Sequence, residues 1–238
     1  MIKHTQVILT FPLGAQFHDG FSMLLYKKLV HYIKDLMCFN ISCKCNDCEH
    51  HSQCRYYHVF GENFAGYPGI IIKNDLFEKK IYQKGEQRVI DFYFVGDVGL
   101  YVDYIEIFFN SLNQKIFGNF FYLNSISTKV IQPSIINHNF VANFSTPIET
   151  YEISECYNRM VQYYNQKYNS RFMLMDELSQ IINPKKVEWS ILHFATRTVY
   201  VKGYIGKSCM QANVDQRLLT IGIGKYNYIG GGQVESED

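Results

Sequence analysis

Residues 5–38 read TQVILTFPLGAQFHDGFSMLLYKKLVHYIKDLMC and hold one strand and one helix. Over 5–14, β-branched and apolar residues run into the Pro12 and Gly14 turn, which marks a strand and its stop. Over 19–38, Phe21, Leu25, Leu29, Tyr32 and Leu36 recur three or four positions apart, the period of an amphipathic helix. A Cys- and His-rich stretch follows to about residue 60. Beyond it, GIIIKN (69–74) and RVIDFYFVGD (88–97) have strand character, LYVDYIEIFFNSLN (100–113) has helix character, and KIFGNFFYLNSISTKVI (115–131) is strand-like again. The order strand, helix, insert, strand, strand, helix, strand is the ferredoxin-like pattern.

The pattern starts again near residue 139. NFVANFSTPIE (139–149) is a strand and YEISECYNRMVQYYNQKYN (151–169) a helix. WSILHFATRTVYVKGYIGKSCMQ (189–211) reads as a β-hairpin bending near Lys202-Gly203 or Gly206, and VDQRLLTIG (214–222) as a short helix entering a glycine-rich tail. The expected class is therefore α+β, with two tandem ferredoxin-like (RRM-like) domains. The first would span 1–130 with a Cys/His-rich insert at 38–60. The second would span 139–238 with a glycine-rich loop at 222–232, after a linker IQPSIINHN at 131–139.

Composition narrows the classes. Of 238 residues, 47% are hydrophobic and 19% charged, which is globular rather than disordered. The net charge of +1 provides no global basic field, so any nucleic-acid site must be a local patch. The 19 Tyr and 18 Phe must mostly be core, although such rings also stack on bases. With no long apolar run and no signal-peptide cleavage site, the chain is expected to be cytoplasmic and to have no membrane partner. Seven cysteines in such a chain argue for reduced thiols, and five of them fall between Cys38 and Cys54. Cys45-x2-Cys48 is the spacing by which two thiolates grip one tetrahedral ion, and Cys54 adds a third. The fourth ligand is open among Cys38, Cys43, His50, His51 and His58. Structural zinc is the expected cofactor.

At the C-terminus, GIGKYNYIGGG places Gly222-x-Gly224, five residues, then Gly230-x-Gly232. Glycines of this kind let backbone approach a ligand and offer N–H groups to phosphate oxygens. This G-x-G-x5-G-x-G loop resembles the one near the C-terminus of CRISPR repeat-processing endoribonucleases of the RAMP superfamily. Other segments are similar in the same order. The block from Cys45 through CRYYHVFGE resembles the family's cysteine insert, YQKGEQRVIDFYFVGDVGLYVDYIEIFFNSL (82–112) its Gly-Glu, strand and helix, NFSTPIE its Phe-x-Thr-Pro strand, and 189–207 its hairpin. Arg55 stands where the family often has Pro, and Ala195-Thr196-Arg197-Thr198 is a loose form of its Ser-x-Arg-Gln.

The resemblance implies metal-independent cleavage of precursor CRISPR RNA within its repeats. The upstream 2′-OH would attack to leave a 2′,3′-cyclic phosphate and a 5′-OH, with no catalytic cofactor. Other Cas proteins would be possible partners, and a non-catalytic guide-RNA-binding subunit is the alternative. The resemblance also favours Cys38 as the fourth metal ligand. Proton transfer near neutral pH suits histidine. His50, His51 and His58 belong to the insert, His4 to the terminus and His138 to the linker, which leaves His18, His31 and His193. His31 follows Lys27 by four residues and Lys28 by three, so all three project from one polar helix flank. His31 is the expected catalytic residue, with His18 and Tyr26 behind it. RNA contacts are expected from Lys27, Lys28, Arg197, Lys202, Lys225 and glycines 222, 224, 230 and 232.

Overall fold

The computed structural model describes residues 1–17, 20–38, 40, 43–60, 67–73, 79–176, 178–194, 197–210 and 213–237. Its first part is built from β1 (Ile2–Phe11), α1 (Phe21–Met37), α2 (Arg55–Phe60), β2 (Ile70–Lys73), β3 (Glu86–Val95), α3 (Asp103–Ser111) and β4 (Tyr122–Ile131). The strands form one antiparallel sheet in the order β2-β3-β1-β4. The second part holds β5 (Phe140–Ile148), α4 (Ile153–Lys167), β6 (Ile181–Phe194), β7 (Arg197–Met210), α5 (Gln216–Ile221) and β8 (Val234–Glu237). Its antiparallel sheet runs β6-β7-β5-β8. In each sheet the first long strand lies between the third and the fourth, and the second lies outside the third.

Alternation along the strands sets the core. Thr5, Val7, Leu9 and Phe11 of β1 share a face with Ile90 and Phe92 of β3, and all are fully buried. Leu25, Leu29 and Ile33 of α1 and Ile105, Phe108 and Phe109 of α3 are buried with them in one core cluster. Each such side chain contributes about 1.5–3 kcal/mol when fully buried.

The buried face of α1 is wider than the sequence spacing suggests. Ser22, Tyr26, Val30 and Met37 are buried beside Phe21, Leu25, Leu29 and Ile33, whereas Tyr32 is only half-buried and Leu36 is 51% exposed. Two adjoining i, i+4 rows, and not one stripe, meet the rest of the molecule.

The hairpin also departs from its expected bend. Lys202 and Gly203 lie mid-strand, paired with Glu188 and Val187, and Gly206 pairs with Phe144. Gly203 is instead a point of close approach to the neighbouring strand, since a Cβ there would lie 2.2 Å from the Ile148 carbonyl oxygen. The strand after Gly232 does form, as four residues, and pairs with β5.

The two sheets are tied together by α4 and the C-terminal loop. The Tyr168 hydroxyl donates to the carbonyls of Val59 and Tyr67, each at 2.9 Å, and the Asp97 amide donates to the Tyr168 carbonyl. The turn Asn227–Ile229 packs on β2, and the Tyr228 ring lies 5.1 Å from that of Tyr26 on α1. None of the described helices is long and apolar enough to cross a membrane.

Candidate functional site

The glycine-rich segment is folded inward. α5 stops at Gly222, whose positive φ of 86° opens the turn, and Gly224, Gly230 and Gly232 also have positive φ. The amides of Gly222, Gly230, Gly231 and Gly232 donate to the carbonyls of Leu219, Asn227, Tyr226 and Pro147. Buried Asn227 pins the loop from within, its amide nitrogen reaching the Tyr164 hydroxyl at 2.9 Å and the Gly222 carbonyl at 3.3 Å. The N–H groups of Gly222 and Gly230, expected to face phosphate, thus serve the loop itself, and that of Gly232 serves β5. Lys225 remains exposed, with its side chain over the Tyr226 ring at 4.9 Å.

The strand segment STPIE grips this loop from the other side. Thr146 Oγ1 accepts from the Gln233 amide at 2.7 Å, the Pro147 carbonyl accepts from Gly232 at 3.0 Å, and Glu149 Oε2 accepts from the Lys225 amide at 3.1 Å. Two motifs far apart in sequence are thus the two sides of one junction. Glu149, Tyr67 and Asn227 were missed by sequence reasoning. The Phe-x-Thr-Pro-like strand was the available signal, but nothing in it names its partner.

On α1, Lys28 and His31 are exposed and Lys27 is half-buried, so the expected polar flank exists. Tyr26 does not belong to it. Its side chain is 1% exposed, its hydroxyl donates to the Ile70 carbonyl at 2.8 Å, and burial together with Tyr228 holds its phenol well above the usual range. The structure therefore has Tyr26, a secondary catalytic candidate by sequence, packed in the core. His18 and the side chains of His193 and Arg197 lie outside the described residues. Lys202 is exposed on β7 and ion-paired with Glu188 at 3.0 Å, so a phosphate there would compete with a carboxylate.

Other histidines are spoken for or sit elsewhere. His4 Nε2 lies 2.6 Å from Asp91, His58 Nε2 lies 3.0 Å from Asp97, and His51 Nδ1 contacts the Cys48 carbonyl at 2.8 Å. His138 lines a groove of about 430 Å3 with Ser134, Ile135, Asn137, Phe140 and Gln216.

The cysteine stretch folds as two single 3-10 turns, Cys45–Asp47 and His51–Gln53, followed by α2. Cys38, Cys43, Cys45, Cys48 and Cys54 together line a cavity of about 10 Å3 with His51. Five thiols and an imidazole around one atom-sized space are a soft donor set that suits zinc. Among the described residues, however, no three His, Cys, Asp or Glu side chains converge as a finished ligand set. Cys43 competes with Cys38 for the fourth place, since its thiol is hydrogen-bonded to that of Cys48.

No protein-family model matches the sequence, and no curated protein matches it. Solved structures match over the whole length. A Cas6 product complex aligns with a TM-score of 0.56 at 9% identity, covering 100% of both chains. A CRISPR-associated protein Cas6 aligns at 0.51 and 12% identity, again over 100% of both. A Cas6-related gene product from Pyrococcus furiosus aligns at 0.50 and 10% identity, covering 100% of this chain and 99% of that one. With identities this low the likeness is one of fold, and from end to end the chain has the fold of Cas6 structures.

Proposed function

We propose that this protein is a Cas6-type endoribonuclease that cuts precursor CRISPR RNA within its repeats. It would consist of two ferredoxin-like halves, 1–130 and 139–238, with the cysteine-rich insert in the first. The repeated strand order of the two sheets supports this division. The observation that carries the functional reading is the contact between α1 and the glycine loop through Tyr26 and Tyr228. It makes α1, which carries Lys28 and His31 on its exposed side, and the loop that carries exposed Lys225 neighbouring elements of one fold. His31 would move the proton of the attacking 2′-OH or of the leaving 5′-oxygen, and Lys28 and Lys27 would offset phosphate charge in the transition state.

The test is to co-purify RNA with the recombinant protein, sequence its ends, and incubate a transcript carrying that sequence with fresh protein in EDTA. Cleavage to 2′,3′-cyclic phosphate ends is expected. Tight binding without cleavage would make the chain a non-catalytic guide-RNA-binding subunit instead.

The insert is read as a structural zinc site of Cys45, Cys48, Cys54 and Cys38. A closed set of four thiolates leaves no position for substrate, so its contribution is to folding. The purified protein should hold close to one zinc per chain, and Cys48→Ser should lower both zinc content and melting temperature while brief EDTA treatment spares cleavage. Metal-free protein whose melting point ignores the Ser substitution would refute the site.

A further inference from the structure

The amide of Lys225 is the one glycine-loop donor described above that is held by a side-chain anion. Glu149 Oε2 accepts its hydrogen bond at 3.1 Å, and Glu149 Oε1 accepts from the Tyr67 hydroxyl at 3.4 Å. The Cys156 thiol, buried beneath, also bonds the carboxylate. Gly224 makes room for it, because a Cβ at that position would lie 2.3 Å from Glu149 Oε2 and 3.2 Å from Cys156 Sγ. The surroundings are those of an anion site: a backbone N–H, a phenol from the first half, a thiol, and the exposed side chain of Lys225 beside them. Arg159 adds positive charge in the same neighbourhood, although it is also ion-paired with Glu155 at 2.6 Å. Glu149 itself is half-buried, so the site opens to solvent on one side.

We infer that Glu149 is an internal stand-in for an RNA phosphate, and that a phosphodiester of bound RNA displaces its carboxylate from the Lys225 amide. A carboxylate and a phosphodiester each present two oxygens sharing one negative charge, so either satisfies the same donors. The loop is then self-occupied without RNA and becomes an RNA contact only on displacement. This inference rests on the RNA-binding reading above and adds to it the residue that sets how readily the loop accepts a strand.

The experiment uses the full chain and a labelled single-stranded oligouridylate, with affinity measured across a salt series. Glu149→Gln removes the charge. Glu149→Asp keeps the charge but shortens the side chain, so that it no longer reaches the Lys225 amide. Both should tighten binding about 3–10-fold with the salt dependence unchanged, since the number of cation–phosphate contacts stays the same. In the parent, the Lys225 amide resonance of 15N-labelled protein should move as RNA is added. If Glu149→Asp binds like the parent while Glu149→Gln tightens, the effect is ordinary charge repulsion and the inference is overturned. A Lys225 amide that does not move at RNA saturation overturns it whatever the stability of the variants. A parent that binds no RNA at all counts instead against the proposed function.

Discussion

His31→Ala is expected to keep its affinity for repeat RNA and to lose cleavage by ~10²-fold or more, the usual contribution of one general acid or base. That loss corresponds to about 2.7 kcal/mol of transition-state stabilisation. The expectation rests on where the histidines end up. His4 and His58 are each held by an aspartate, and His51 bonds a main-chain carbonyl inside the cysteine turns. His31 stands exposed on a regular helix with Lys28 one turn before it. Binding should survive because the charge on Lys27, Lys28 and Lys225 is untouched, so the defect belongs in the cleavage rate at saturating RNA. His18→Ala, His138→Ala and His193→Ala are the comparisons. A large loss in one of these, with His31→Ala cutting normally, would move the proton transfer to that residue and leave the fold assignment intact. Parent protein that binds repeat RNA and leaves it whole would remove the enzyme reading itself.

Much of the fold was legible because its elements carry strong local periods. α1, expected at 19–38, forms over Phe21–Met37, β1, expected at 5–14, forms over Ile2–Phe11, and a helix enters the glycine tail, as helical spacing, alternation and glycine punctuation imply. Three features were not legible, for a common reason. Tyr26 reads as a secondary catalytic candidate, and β2 supplies the carbonyl its hydroxyl needs. The sequence puts the hairpin bend near Lys202-Gly203 or Gly206, whereas the missing side chain of Gly203 serves close approach to the neighbouring strand and not a turn. The glycine loop reads as an open phosphate cradle because glycine spacing is silent on where the amides point. In each case a residue type was read correctly as special and assigned the wrong neighbour, since the neighbour lies in a distant stretch of chain. The cysteine cluster is the opposite case. Its residue types and spacing are visible in the sequence, and the fold adds that all five cysteines line one cavity.

Because the glycine loop folds inward, changing its glycines acts on stability first. Gly232→Val should destabilise the whole protein, and any loss of RNA binding should follow from that. At Gly232 the φ is 61° and a Cβ would lie 1.7 Å from the Ile223 carbonyl oxygen, which is itself backbone and cannot swing aside. A β-branched residue held at positive φ costs about 1–3 kcal/mol, and forcing atoms into a packed site about 1–3 more. Against a typical stability of about 5–15 kcal/mol, this is enough to lower the melting temperature by many degrees. The strain also falls on the Gly232 amide bond to Pro147, on the Ile223 amide bond to Gly232, and on the start of β8 two residues later. Lys225→Ala, at the exposed crown of the same loop, should leave the melting temperature near the parent value and weaken RNA binding in a salt-dependent way. A Gly232→Val protein that melts like the parent yet has lost RNA affinity would show the loop to be an open ligand cradle, and the inward hydrogen bonds described above would then not be those of the folded protein in solution.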